Sequence, residues 1–600
     1  MYMNPGDVIA ITQIAFKGAY IAVDSAYKAV KFFENSEALV VRLQLEQFRL
    51  QIWGTNSGLD DGKLTPALLI VHEILCRELQ SISKLFQNAN ELRDRYSMLA
   101  LETDDVSEDA PVIFGDSMAK DDDNTKKYLE RMRKSLRLSG IRRGESIDAD
   151  DDGKERRVEP GIWRRVRWGI RDKEHFKTQI DELHERVNLL HQLLSETDRQ
   201  RSKNDEQKIK IVVVGSAVDA QSLALVRSAV GLVDAQTHSM IERKALSEEA
   251  DPRGSHLALQ QAHNSSGRIK LSDFALPPDY GQTRRLLVRW QQDPSRVALL
   301  EKKAYDPDID PTKKTALARR LQRLTMLLSM SQTKSLGTVK ALDYVSDNAN
   351  FCWWLVLEFP ASVTLSLPSP KPLTLERLLQ PGSKYKPPLE QRLQLALSIC
   401  TTMSSLYSSG WLHKSLGSAN ILFPLIDLPS ESAELDFLQK PMISGFEYSR
   451  QETEAESINN AMMFSDVAAA IYRHPTYQGE AAQGYHIQLD IYSLGLVLVE
   501  IGLWVPLASF LQAANAAGQK RFSSTERFHR PEALILKTMV LDRLKKEFAF
   551  RLGTTYYEAV NWCLTFADIS LTNADEDPVH PALEFYNNVV APLQGLKLTG

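Results

Sequence analysis

The side chains of this sequence that could do chemistry gather in short stretches of its C-terminal two-thirds. "WLHKSLGSANILF", residues 411 to 423, sets His413, Ser415 and Asn420 in a polar loop that runs into a short apolar strand. "PMISGFEYSR" follows with Gly445, Phe446 and Glu447, and "LDIYSLGLVLVEIGLW" places Asp490 at the start of an apolar helix. A base that takes a proton from a hydroxyl is usually a positioned carboxylate or imidazole, and a magnesium site needs several oxygen ligands. Neither Ser415 nor Gly445 supplies a carboxylate. The Asn420 carbonyl alone is a poor magnesium ligand, and its plainer role is to hold the loop by hydrogen bonds. Glu447 is within range of serving a cation, although a loop carboxylate in solvent is the simpler reading. No metal site and no cofactor is expected. Cys76, Cys352, Cys400 and Cys563 lie far apart, with neither disulfide density nor C-x-x-C spacing, and are expected to be reduced core thiols of a cytoplasmic protein.

The elements that must position these residues divide the 600-residue chain into parts. With 43% hydrophobic and 25% charged residues and a net charge of -5, the composition is that of a globular protein with no global argument for nucleic acid. No basic region precedes an apolar run at the N-terminus, so a secretory signal is not expected. Residues 7 to 33 read as a broadly apolar helix with Lys17, Asp24 and Lys28 scattered through it. "SEALVVRLQLEQFRLQIW" reads as a second helix, with Ser36 as N-cap and its end at Gly54. "LLIVHEILCRELQSISKLF" puts Leu68, Val71, Leu75, Leu79, Ile82 and Phe86 on one stripe, and Phe176, Ile180, Leu183, Val187, Leu190 and Leu194 form another. Between these stripes, residues 102 to 160 alternate acidic and basic runs. They read as a mobile insertion, broken by a short helix around "TKKYLERMRKSLRL". Residues 1 to 200 are thus expected to form one helical bundle, and 201 to 208 a linker. "KIKIVVVGSAVD" and "FCWWLVLEFP" read as strands, and after about 388 the pattern is mostly helical. Strands first and helices second make an α+β layout over 209 to 600.

"FENSEALVVRLQLEQFRLQIWG" together with "RRVRWGIRDKEHFKTQIDELHERVNLLHQLL" resembles the HeLo domain of fungal heterokaryon-incompatibility proteins. The resemblance covers residues 1 to about 200. It implies an all-α bundle that releases its N-terminal segment into membranes and kills the cell. Two readings of that first helix stand: a well-buried core helix, or a segment stored in the bundle that later enters a bilayer. Each central charge would cost a lone span about 2.5 to 3.5 kcal/mol, a cost that oligomerisation around Lys17 and Asp24 would relieve. The cluster Trp163, Arg164, Arg165, Arg167 and Trp168 suits either an anchor to anionic lipid or a helix start with its tryptophans packed inward.

Residues 209 to 600 resemble a protein kinase, with an N-lobe over about 209 to 360 and a C-lobe over about 385 to 600. His413, Leu416 and Asn420 fit the H-R-D-L-x-x-x-N loop, with Ser415 where the base belongs. Gly445 and Phe446 fit D-F-G, with the metal-gripping Asp lost. Asp490 fits the residue that ties the loop backbone to the core helix. Pro475 fits the end of the activation segment, with Thr476 where a Glu is usual. No Gly-rich phosphate loop is found. Lys303 (or Lys302) is the weak candidate for the strand lysine, and the helix "TKKTALARRLQRLTMLL" offers no Glu to pair with it. Magnesium-independent nucleotide binding through Lys303 and the hinge Glu358 stays open.

The resemblances together imply a multidomain pseudokinase, not an enzyme, similar in architecture to the pseudokinase of necroptosis. Its kinase-like part would restrain or trigger a membrane-active bundle that is cytoplasmic until activated. Homo-oligomerisation, anionic lipid and an upstream protein are the expected partners. An active atypical kinase and a non-catalytic scaffold are the alternatives.

Overall fold

The computed structural model describes residues 4–30, 36–86, 118–138, 173–230, 234–247, 269–329, 336–360, 371–383, 385–425, 435–446, 449–451, 467–478, 485–511, 528–572 and 580–596. Trp163, Arg164, Arg165, Arg167, Trp168 and Glu447 lie outside the described residues. The chain divides into two units, Met1–Ile241 and Glu242–Gly600.

Every secondary-structure element among the described residues of unit 1 is a helix. It comprises α1 (Pro5–Val30), α2 (Glu37–Ser57), α3 (Pro66–Ile70), α4 (His72–Leu85), α5 (Met118–Leu138), α6 (Lys173–Gln192), α7 (Glu196–Ser216) and α8 (Ala220–Val230), and the division falls inside α9 (Ala235–Ser247). Helix α2 is the axis of the bundle and packs against α1, α6, α7 and α8. Its buried residues run all round the helix and include Gln44, Glu46, Gln47 and Gln51. A helix so enclosed must satisfy its polar groups internally. Accordingly, Gln47 Nε2 donates to Asp24 Oδ1 at 3.1 Å, and Gln44 Nε2 to Gln47 Oε1 at 2.7 Å. Helix α2 runs past Gly54 to a C-cap at Gly58, whose φ of 83° suits glycine. Gly54 is instead a packing position, because a Cβ there would lie 2.4 Å from Cζ of Phe16 on α1. Ser36 stands at the N-cap position without capping, since its hydroxyl donates to Val30 O at 2.8 Å.

Two expectations are corrected here. Residues 201 to 208 are not a linker, and "KIKIVVVG" is not a strand: both lie inside α7. Ser195 caps that helix by accepting from Asp198 N at 3.2 Å, and Ile211 to Ser216 are buried. A short apolar β-branched run fits a buried helix as well as a strand, and here tertiary burial decides. The helical unit therefore extends to Ile241, and no N-lobe begins at 209. The helix expected within the charged insertion is the 21-residue α5, and it is packed. Tyr128, Leu129, Met132 and Leu136 are buried, Tyr128 Oη donates to Val213 O at 3.2 Å, and Arg133 reaches Tyr27 and Gln44.

Unit 2 combines antiparallel sheets with helices. Strands β1 (Arg285–Arg289), β2 (Val297–Ala304), β3 (Lys340–Asp347) and β4 (Cys352–Phe359) form a sheet in the order β1-β2-β4-β3. Alternation sends Ala298, Leu300, Trp354 and Val356 into one core with Phe274 and Val288. Between β2 and β3 runs α10 (Pro311–Ser329), which buries Leu317, Leu321, Leu324 and Leu328 at helical spacing and packs on β3. Then come β5 (Leu373–Thr374), α11 (Leu389–Tyr407), β6 (Trp411–Leu412), β7 (Ile421–Phe423), β8 (Met442–Ile443), β9 (Arg450–Gln451), α12 (Ile487–Leu503) and, after further short helices, a helix over Thr554–Thr572. Helix α12 is buried from Ile487 to Gly502 apart from Gln488, between α11 and Thr554–Thr572.

Candidate functional site

The polar loop after β6 is built by strand pairing. Ile421 of β7 lies opposite Ile443 of β8, which sets Asn420 beside Ser444 and Gly445. Ser444 N donates to Asn420 O at 2.9 Å. The backbone turns at Lys414 (φ 65°) and at Gly445 (φ 83°), both left-handed. Asp490, fully buried in the first turn of α12, accepts from His413 N at 2.5 Å, Lys414 N at 2.8 Å and Tyr485 Oη at 2.6 Å. An aspartate with three donors is satisfied without a counter-ion. His413 shares a hydrogen bond through Nε2 with Ser444 O at 2.9 Å, and its ring lies 4.8 Å from that of Phe446. Lys414 Nζ lies 5.1 Å from the ring centre of Tyr485 and 5.8 Å from that of Tyr477. These contacts brace the loop.

Of the polar side chains in the loop, Ser415 and Asn420 stand differently. Ser415 Oγ is buried without a hydrogen-bond partner among the described residues. The Asn420 amide is spent, since Nδ2 donates to Ser415 O at 2.6 Å and Oδ1 accepts from Arg285 Nη2 at 2.8 Å. Arg285 also reaches Ala419 O at 2.9 Å through Nη1 and Glu301 Oε1 at 2.8 Å through Nε. Glu301, 2% exposed, accepts from Gly445 N at 3.0 Å on each oxygen. The carboxylate that β2 sends toward Gly445 is thus Glu301, and Lys303 lies two positions further along the strand. The sheet does not bring Lys303 and Glu358 together. Lys303 lies opposite Trp353 and Glu358 opposite Ala298, and Glu358 pairs with Lys340 at 3.1 Å on the surface.

Behind the loop, Tyr472 Oη donates to Glu500 at 2.9 and 3.0 Å and shares a hydrogen bond with Ser418 Oγ at 2.8 Å, while Leu507 N donates to Glu500 at 2.7 Å. Burial pushes the Glu500 carboxyl up to about 7, although these donors act the other way. Arg285, Glu301, Tyr472 and Glu500 escape sequence reading. Glu301 alone leaves a signal, a charge in phase with Val297 and Leu299 on the strand that carries the lysines.

Unit 1 holds a second polar centre, around a cavity of about 310 Å³. Arg49 reaches Glu206 and Glu46 at 2.9 Å each and Asn188 at 2.5 Å, and His184 Nδ1 lies 2.7 Å from Glu46 Oε1. Burial alone would raise the Glu46 carboxyl, but Arg49 and His184 hold it below its ordinary value. Each charge here has an opposite partner, which makes the centre a structural ion cluster. Lys17 is exposed on α1, Asp24 is buried, and among the described residues no group of three or more His, Cys, Asp or Glu is placed to hold a metal.

Residues 15–226 match the HeLo family model, prion-inhibition and propagation. The HeLo match begins within α1 and ends within α8. It therefore includes α7, which the 1-to-200 resemblance cut short. No curated protein matches the chain.

Proposed function

We propose that the chain is a two-part cell-death effector. Its HeLo region carries the membrane-active helix, and residues 242–600 form a non-catalytic, kinase-like regulator that restrains or triggers it. The observation that carries the first half is the state of α1. Pro5–Tyr27 is long and apolar enough to cross a membrane, with a mean hydropathy of 1.3, yet only 22% of that window is buried. Its outer stripe leaves Ile11 42%, Ile14 71% and Ile21 53% exposed. A core helix would bury such residues, whereas a helix held on one side only can leave its neighbours. Lys17 on the same stripe is the residue whose burial in lipid would cost most, unless copies assemble around it.

Support for the second half comes from what is braced and what is missing around residues 413–420. Asp490 ties the backbone of His413 and Lys414 to α12, as the kinase resemblance anticipates. Ser415 offers no carboxylate, Gly445 no metal ligand, and the Asn420 amide is consumed. Loss of a positioned base alone slows proton transfer about 10²- to 10⁴-fold. The function left to this region is recognition of a partner, with a change of state passed on to the HeLo region.

The deciding experiment is dye leakage from vesicles containing anionic lipid, comparing residues 1–241 with the full chain. Leakage by the fragment, abolished by deleting residues 1–30 and suppressed in the full chain, is the expected result. A fragment that neither permeabilises vesicles nor harms cells when expressed would leave only a scaffold. Turnover of ATP by the full chain with magnesium or manganese would overturn the non-catalytic half.

A further inference from the structure

Arg285 and Glu301 come from neighbouring strands and meet across the ladder, where they are direct partners. A cross-strand ion pair on a sheet surface is ordinary and contributes little. This one differs in burial and in what else it touches. The Glu301 side chain is 2% exposed and that of Arg285 17%. Glu301 accepts the Gly445 amide on both oxygens, and Arg285 donates to the Asn420 side chain and the Ala419 carbonyl. Two residues of the sheet therefore close on the two positions that the kinase resemblance assigns to metal binding. The guanidinium sits on the very oxygen that Asn420 would offer a divalent ion, and the carboxylate beside it neutralises that fixed cation.

We infer that Arg285 and Glu301 form an internal latch, a resident cation and its counter-ion that fill the place of metal and phosphate and hold the sheet β1–β4 onto the loop 413–420. The latch has two consequences. A divalent ion bound at Asn420 would have to displace the guanidinium, and nucleotide phosphates would meet the Glu301 carboxylate. The sheet and the loop also cannot separate without breaking the Gly445 amide's hydrogen bonds to Glu301 and those of Arg285 to Asn420 and Ala419. The latch is connected to the brace at His413 and Asp490 through Asn420 and Ser415. The inference uses the kinase-like reading only to name nucleotide as the excluded ligand.

Amide exchange in the full chain, read by mass spectrometry, tests it. Arg285→Lys keeps the charge but loses the fork, and the double variant Arg285→Leu with Glu301→Leu replaces the pair by apolar groups that the fold is able to carry. The double variant removes the Glu301 acceptor of the Gly445 amide and should raise exchange over residues 441–446 about 10- to 100-fold, the loss of a charge-assisted hydrogen bond; Arg285→Lys keeps that acceptor and should raise it less, while α11 exchanges as before in both. Calorimetry of the unmodified chain with ADP, alone and with magnesium, should show no binding. Exchange at 441–446 unmoved in both variants, or saturable binding of ADP to the unmodified chain, overturns the latch. Phosphotransfer by the unmodified chain would refute the non-catalytic reading by a separate readout, leaving the exchange result to stand on its own.

Discussion

Gly445 is a position that accepts no side chain. Its φ of 83° lies in the left-handed region, where a non-glycine residue costs roughly 1–2 kcal/mol. A Cβ there would stand 2.4 Å from Asn420 Cγ and 2.5 Å from both Nδ2 and Oδ1. The amide cannot swing aside, because Ser415 O holds one end and Arg285 the other. Forcing a methyl group into such packing costs a further ~1–3 kcal/mol. Gly445→Ala should therefore destabilise unit 2 by about 2–5 kcal/mol in total. Equilibrium denaturation monitored by amide exchange over residues 411–446 separates this transition from that of unit 1. Gly445→Asp should be at least as damaging, so restoring the missing carboxylate, even with Ser415→Asp, should yield no phosphotransfer. A Gly445→Ala protein within ~0.5 kcal/mol of the parent would refute the claim that this turn is locked against Asn420, since surface substitutions alone fall in that range.

The remaining expectations concern the braces. Because burial holds the Glu500 carboxyl near 7 against an ordinary 4.5, the folded chain keeps a proton that the unfolded chain releases. Stability should therefore fall as pH rises from about 4.5 to 7, by on the order of 3 kcal/mol; Glu500→Gln should remove this slope and be the more stable protein at pH 8 in urea titrations. Asp490→Ala strands the His413 and Lys414 amides and the Tyr485 hydroxyl, and should cost about 3 kcal/mol or more, seen as faster exchange at residues 411–416. Gly54→Val would drive a branched side chain into the Phe16 ring. It should loosen α1 by about 1–3 kcal/mol and raise vesicle leakage by residues 1–241, whereas the same change in a scaffold would alter stability alone.

Much of the bundle was legible because α4 and α6 carry clean helical stripes, and such stripes must be buried. The end of the bundle was hidden for a local reason. "KIKIVVVG" is β-branched and apolar, so composition points to a strand. The better clue was Ser195 three residues ahead of Asp198, a start signal upstream of the whole stretch. In unit 2 the frame of the loop could be read from His413, Asn420 and Asp490, because each makes backbone contacts that depend on residue type. Its interior could not. Glu301 and Gly445 are 144 positions apart, and Asn420 lies 135 from Arg285. Their meeting depends on how a sheet seats on a loop, which no periodicity encodes. Lys303 lies on the same strand, but the residue that faces the site is the acid two places before it, Glu301.

The way α1 rests on Gly54 and Trp53 bears on any event that removes it. The Phe16 ring lies 5.8 Å from that of Trp53, and α1 covers faces of both α2 and α4. Departure of α1 would thus create two greasy surfaces at once, the helix and the trough it vacates. Only the first can be hidden in lipid. Under the proposed function, the trough would remain in water on a body held at the membrane by its own detached arm. A released molecule would then be adhesive on two sides, through the seat as much as through the helix that left it.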